Sequence, residues 1–119
     1  MILVTLQNEV KERQGSKGGV YVMIPEQTNG KNAWLNGEFA IWYDSGRHNW
    51  KIGLKSNIGT GACGICSTKD AENPTLVGNN WEYHNYVEMI KANPGDITVM
   101  NVEGKQTKIE LMKKVISMF

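Results

Sequence analysis

Apolar and polar residues alternate with a period of two over much of the chain. The alternation covers five segments, at positions 2–6, 20–24, 38–44, 50–55 and 96–102. A period of two places successive side chains on opposite faces of an extended strand. Each segment is also rich in β-branched and aromatic residues, which favour strands. The pattern therefore predicts a mainly β protein.

Short turn-forming segments separate these predicted strands. Asn29-Gly30 and Asn36-Gly37 are dipeptides that accept positive φ in tight hairpin turns. Further clusters of turn residues lie at 44–49, 72–75 and 93–96. Short strands joined by such turns are typical of antiparallel folds. We therefore predict a single antiparallel β-sandwich or a small β-barrel.

Two segments do not follow the period of two. Residues 81–93 fit either a strand that begins at Trp81 or a short helix. Residues 104–119 have apolar residues at helical spacing, which predicts a short C-terminal helix, with a final strand as the alternative. A length of 119 residues fits one domain, so residues 1–119 are predicted to form one unit with a β core at 1–103.

Composition narrows the classes of partner. The net charge of +1 predicts no strong attraction to nucleic acid or to a membrane surface. No stretch has the roughly 20 apolar residues of a membrane span, and the opening MILVTL lacks the basic start and cleavage site of a signal peptide. A cytoplasmic location is the default expectation, and no cofactor is predicted.

The turn at Asn36-Gly37 predicts which residues form the core. If these two residues are the centre of a two-residue hairpin, Trp34 lies opposite Phe39 and Lys31 lies opposite Trp42. Residues opposite each other share a face of the sheet. One face is then predicted to carry the core residues Trp34, Phe39, Ile41, Tyr43, Trp50, Ile52 and Leu54.

The other face of this hairpin suggests a binding site. Trp42 lies there beside Lys31 and Asp44, and if no second layer covers this face its indole can stack on a ligand. Twelve asparagines, several of them next to aromatic residues, offer amides for hydroxyl groups. The candidate ligand-binding residues are Trp42, Lys31, Asp44, Asn80, Trp81 and Asn85. The preferred hypothesis is a non-enzymatic module that binds carbohydrate or a polar protein surface.

The two cysteines, Cys63 and Cys66, leave alternatives open. They could be small structural residues, a conditional disulfide, a redox pair, or half of a zinc site completed by His48 and His84. The segment after Cys66 lacks the helix that usually activates a redox pair. On one strand, residues three apart face opposite sides, so one thiol is predicted to be buried and the other exposed. A zinc- or thiol-dependent protein is the alternative function.

Two further functions are weaker on sequence grounds. Single-stranded nucleic acid could stack on an aromatic sheet face, but the near-neutral charge argues against it. Asp44, Ser45 and His48 have the residue types of a catalytic triad, but they lie in one turn, where such side chains usually bind backbone N–H groups. An enzyme is therefore not predicted.

Overall fold

A computed structural model of the chain describes residues 1–102. Within that range the chain forms nine strands and one short α-helix. In chain order they are β1 (Ile2–Leu6), α1 (Asn8–Gln14), β2 (Gly19–Met23), β3 (Trp34–Asn36), β4 (Phe39–Asp44), β5 (Asn49–Leu54), β6 (Ile65–Ser67), β7 (Trp81–His84), β8 (Met89–Lys91) and β9 (Ile97–Asn101). The C-terminal helix or strand predicted at 104–119 lies outside the described residues.

The strands form one sheet in which every pairing is antiparallel. Its order is β8-β7-β6-β5-β4-β3-β2-β1-β9, so the chain runs as a meander from β1 to β8 and β9 then pairs with β1. The sheet curls into a half-barrel. The prediction of a mainly β, antiparallel fold is confirmed. No helix within the described part of the chain has the length and apolarity to span a membrane.

The helix α1 lies near the N-terminus and was not predicted. Val10 is its one buried apolar residue, so the sequence shows no apolar stripe at helical spacing. It is held by tertiary contacts instead: Val10 is fully buried in the core cluster, and Gln14 Nε2 donates a hydrogen bond of 2.7 Å to the carbonyl oxygen of His84. These contacts fix α1 against β7.

The β3–β4 hairpin differs from its predicted register by two residues. Trp34 lies opposite Ile41 and Asn36 lies opposite Phe39, so the central residues of the turn are Gly37 and Glu38. Gly37 takes φ +56°, and tight hairpins favour glycine at this first central position. A shift of two residues keeps the side chains of β3 and β4 on their predicted faces, whereas Lys31, which precedes β3, lies on the face of Trp34 and Trp50. The pairing of Lys31 with Trp42, however, was wrong.

Two other segments are clarified by the structure. In β2 the core residue is Tyr21, while Val22 is 55% exposed, so the valines of that segment do not face the main core. The ambiguous segment 81–93 forms the antiparallel pair β7–β8. Asn85 Oδ1 accepts hydrogen bonds from the backbone N–H groups of Val87 and Glu88, which closes the turn between these strands.

The core of the concave face is built around aromatic side chains from β3, β4 and β5. The ring centroid of Trp50 lies 5.9 Å from that of Trp34 and 5.2 Å from that of Tyr43. Trp50 Nε1 donates a hydrogen bond of 2.9 Å to the carbonyl oxygen of Ala71, so the buried indole has a partner for its polar atom. The predicted burial of Trp50 is confirmed, whereas Leu54, at the end of β5, is 44% exposed.

Trp50→Ala should lower the free energy of unfolding by about 3–5 kcal/mol, because it removes a fully buried indole and leaves a cavity. Chemical denaturation of the full chain measures this loss. Leu54→Ala, on the same strand, is the control and should cost less than about 1 kcal/mol. A loss below about 1 kcal/mol for Trp50→Ala would contradict this account of the core.

Candidate functional site

A cavity of about 360 Å³ opens on the concave face of the sheet. Side chains from the β2–β3 connection, from the β6–β7 connection and from four strands surround it. The lining residues are Met23, Gln27, Gly30, Lys31, Asn32, Trp34, Trp50, Glu72, Asn73 and Asn101. Of the residues predicted for ligand binding, Lys31 is the one that lines this cavity.

A tight hairpin at residues 28–31 places Lys31 in the cavity wall. Asn29 and Gly30 have φ of +55° and +80°, and Thr28 and Lys31 exchange both backbone hydrogen bonds, as the Asn-Gly dipeptide predicts. Lys31 Nζ then lies 3.6 Å from Glu72 Oε2 and 5.0 Å from the ring centroid of Tyr43. The cavity wall therefore carries one cation and one anion next to each other.

Hydrogen bonds fix the loops that border the cavity. The Tyr43 hydroxyl donates a bond of 2.7 Å to Asp70 Oδ1, and Asn29 Nδ2 donates one of 2.7 Å to the carbonyl oxygen of Tyr43. Burial of the ring, reinforced by the bond to Asp70, raises the pKa of Tyr43 to about 12. Tyr43 therefore stays a neutral donor over the physiological pH range and holds the loop that carries Glu72.

Trp42 does not line this cavity, and the condition for its candidate role, a face that no second layer covers, is not met. It is fully buried on the opposite face of the sheet, where it packs with Ala33, Ala40 and Ile58. The segment after β5 covers this face, and Trp42 Nε1 lies 3.4 Å from the carbonyl oxygen of Thr60 as a hydrogen-bond donor. A loop therefore provides the cover for this face.

The same loop brings both cysteines to one face of the sheet. Cys66 lies in β6, but Cys63 precedes the strand, so the alternation that predicted opposite faces does not apply to it. The backbone of Cys63 passes directly over Gly53: a Cβ atom on Gly53 would lie 3.1 Å from the Cα atom of Cys63. Glycine at position 53 therefore allows the loop to lie against the sheet.

Three ionisable side chains lie side by side beneath this loop. Lys51 on β5 is directly opposite Cys66 on β6, which is directly opposite Glu82 on β7. Lys51 Nζ lies 3.9 Å from Cys63 Sγ and 3.6 Å from Asp44 Oδ2, and Cys66 Sγ donates to Glu82 Oε1 at 3.2 Å. We call Lys51, Cys63, Cys66 and Glu82 the dithiol cluster.

The pKa values of the two thiols of the dithiol cluster are shifted in opposite directions. A hydrogen bond from Cys66 lowers the pKa of Cys63 to about 7, and the charge of Lys51 contributes, while burial and Glu82 oppose the change. The pKa of Cys66 is raised by its hydrogen bond to Cys63 and by burial. Cys63 is therefore the more acidic of the two thiols. Its charge also affects Lys17: burial lowers the pKa of Lys17, and the nearby charge of Cys63 opposes that effect.

The remaining candidates for ligand binding have structural contacts. Asp44 Oδ1 accepts from the N–H groups of Gly46 and Arg47 in the β4–β5 turn, and its other oxygen faces Lys51. Asn80 Nδ2 donates to the carbonyl oxygen of Val77. Asn85 closes the β7–β8 turn, and Trp81 is buried in the concave core. The structure does not bring these residues together with Lys31.

The conditional zinc ligands are also not assembled. His48 lies in the β4–β5 turn with φ +54°, and His84 Nδ1 accepts a hydrogen bond from the N–H group of Tyr86. Residues 1–102 contain no group of three or more His, Cys, Asp or Glu side chains arranged to hold a metal ion. Cys63 and Cys66 therefore have each other and Glu82 as neighbours but no completed ligand set.

Sequence reasoning missed the amide residues of the cavity and two members of the dithiol cluster. Gln27, Asn32 and Asn73 lie in loops, where such residues are common for backbone reasons. Lys51 and Glu82 lie on the polar side of alternating strands, which normally faces solvent. The one available signal was the Cys-x-x-Cys spacing itself, together with the glycine at position 53.

No protein-family model matches the chain, and no curated protein and no solved structure matches it either.

Trp42→Ala should lower the free energy of unfolding by about 3–5 kcal/mol, because the indole is fully buried beneath the loop. Val87→Ala, at a position that is 83% exposed, should change it by less than about 1 kcal/mol. All four tryptophans are buried, so acrylamide should quench the native emission far less than that of the unfolded chain. A Trp42→Ala variant as stable as the parent would show that the face is open.

The rate of Cys63 alkylation by iodoacetamide should rise with a midpoint near pH 7, measured by mass spectrometry of the modified peptide. Cys66→Ala removes a hydrogen bond to the thiolate, and Lys51→Met removes a positive charge, so both should move the midpoint to higher pH. Lys69→Met, at an exposed site, should leave it unchanged. A midpoint near that of a free cysteine, about 8.5, would contradict the expected environment.

Proposed function

We propose that the protein is a non-enzymatic binding protein that holds a small, polar, uncharged ligand, such as part of an oligosaccharide, in the cavity of the concave face. The proposal is supported by the number of amide side chains around one cavity. Gln27, Asn32, Asn73 and Asn101 all line it. An amide group offers donors and an acceptor in one plane, which suits the paired hydroxyl groups of a sugar.

The charges of the cavity favour a ligand without net charge. Lys31 and Glu72 are the charged residues among its lining side chains, and they lie 3.6 Å apart. A phosphate or a carboxylate would have to compete with Glu72 for Lys31. A cation would have to compete with Lys31 for Glu72. A neutral ligand can instead bind both groups through its hydroxyls.

The aromatic base of the cavity supports recognition through hydrogen bonds. Trp34 is 5% exposed and Trp50 is fully buried, so little of either indole is open for a ring to stack on. The volume of about 360 Å³ falls within the usual range for small-molecule sites. A concave cavity of this kind fits a small ligand better than a flat protein surface.

The bordering loops favour a site that exists before the ligand arrives. The 28–31 hairpin and the Tyr43–Asp70 hydrogen bond fix two of the loops that border the cavity. A preformed site avoids the entropy loss of ordering loops on binding. We therefore expect the ligand to be bound without a large change of backbone structure.

A glycan array probed with the full chain tests the proposal, followed by isothermal titration with the best neutral oligosaccharide. Asn32→Ala should weaken binding about tenfold or more, because it removes hydrogen-bonding groups at an exposed edge of the cavity. Stability should be almost unchanged, since Asn32 is exposed. Binding should also alter the tryptophan emission, because Trp34 and Trp50 lie at the base of the cavity.

Asn93→Ala is the matched control, since Asn93 is an exposed asparagine outside the cavity lining. It should leave the affinity unchanged. Equal losses for the two asparagine variants would place the binding site elsewhere. A blank array for neutral glycans would refute the proposed ligand class.

A further inference from the structure

The dithiol cluster lies on the opposite face of the sheet from the cavity and has no part in the proposed ligand binding. Its polar groups are costly to bury. Lys51 is 2% exposed and Cys66 is 5% exposed, although the Trp42 cluster beside them shows that apolar side chains can fill this face. Lys51 pairs with Asp44 Oδ2 at 3.6 Å, which offsets part of the desolvation penalty of burying an ammonium group, and its other neighbour is the sulfur of Cys63 at 3.9 Å. This arrangement calls for a chemical explanation.

The two cysteines differ in their access to solvent. Cys63 is half-buried and directly follows the exposed residues 59–62, so of the two cysteines it is the one nearer to solvent. Cys66 is buried beneath that loop and lies within hydrogen-bonding reach of Cys63. One thiol can therefore meet an external partner, and the other can meet only the first thiol.

The charged members of the cluster are divided between the two thiols. Lys51 Nζ is 3.9 Å from Cys63 Sγ, where its positive charge stabilises a thiolate. Glu82 Oε1 is 3.2 Å from Cys66 Sγ, so it can accept the single proton of that thiol once Cys63 is bonded to the substrate and no longer accepts it. The cation Lys51 therefore lies beside the Cys63 sulfur, and the proton acceptor Glu82 lies beside the buried Cys66 sulfur.

We infer that the dithiol cluster is a thiol–disulfide exchange site in which Cys63 is the attacking thiol, Cys66 is the resolving thiol, Glu82 is the general base for Cys66, and Lys51 is a positioning residue. Its substrate class is an accessible disulfide on a small molecule or on another protein.

The first step forms a mixed disulfide. The Cys63 thiolate attacks one sulfur of a disulfide RS–SR′, forming a Cys63–SR bond and breaking the S–S bond of the substrate. The group R′S⁻ leaves with the electron pair and takes a proton from water. The positive charge of Lys51 supports the thiolate before the attack.

The second step closes the protein disulfide. Glu82 takes the thiol proton of Cys66, and the Cys66 sulfur attacks the sulfur of Cys63. The Cys63–Cys66 bond forms, RS⁻ leaves with the electron pair, and Glu82 passes its proton to the departing thiolate or to water. In total, two protein thiols are oxidised and one substrate disulfide is reduced to two thiols, and the steps can run in reverse.

Reaction of the reduced full chain with glutathione disulfide tests the inference. Samples are quenched with acid at successive times and weighed by mass spectrometry. The parent protein should pass through a short-lived glutathione adduct to a form that has lost two hydrogen atoms. Cys66→Ala should stop at the adduct. Cys63→Ala should react at least about tenfold more slowly, because its remaining thiol is buried and has no thiolate-stabilising contact with Lys51 Nζ.

Glu82→Gln separates the proposed proton-transfer role of Glu82 from a structural one. This variant should form the adduct at close to the parent rate. It should convert the adduct to the internal disulfide at least about tenfold more slowly. Glu88→Gln, at an exposed site in the β7–β8 turn, is the matched control and should leave both steps unchanged. Circular dichroism checks that each variant is folded.

Three results would overturn the inference. The first is an adduct on the parent protein that persists as long as that on Cys66→Ala. The second is equal conversion rates for Glu82→Gln and Glu88→Gln. The third is a parent protein that reacts no faster than the same chain unfolded in urea. None of these results bears on the cavity, so the two proposals can fail separately.

Discussion

The short connection between the two edge strands is the constraint on which the shape of the sheet depends. β8 and β9 lie at opposite edges, yet only residues 92–96 join them. Six Cα–Cα steps from Lys91 to Ile97 span at most about 20–22 Å. In a flat sheet of nine strands the edges would lie about 38 Å apart, because neighbouring strands are about 4.8 Å apart. The chain can satisfy both conditions only if the sheet curls.

Because the sheet curls, its two faces are covered in different ways. On the concave side, Trp34 and Trp50 fill the centre, and the polar loops around them leave the cavity open at one end. The other side cannot close on itself, so an independent segment has to cover it. The absence of a side chain at Gly53 lets the chain before β6 do so, which buries Trp42 and gathers the dithiol cluster. Both candidate sites are thus consequences of the same curvature.

Local rules were enough to predict most strands but not the sites. The period of two and the Asn29-Gly30 turn depend on neighbours in sequence, and the structure confirms them. The helix α1 could not be predicted, because Val10 alone gives no pattern. The common face of Cys63 and Cys66 depends on a bend over the sheet, which no spacing along the chain reveals. The cavity has the same limitation, since its walls come from loops that are distant in sequence.

The pairing of the first strand with the last also bears on how the chain folds. From β2 to β8 each strand pairs with its sequence neighbours, whereas Ile2 pairs with Asn101 across nearly the whole described chain. Closing so long a loop carries a larger entropic cost than forming a hairpin. Among the strands of residues 1–102, β9 also has β1 as its single partner. We therefore expect the meander to assemble early and β9 to dock late, and the backbone amides of β9 to exchange their hydrogens with solvent before those of the central strands.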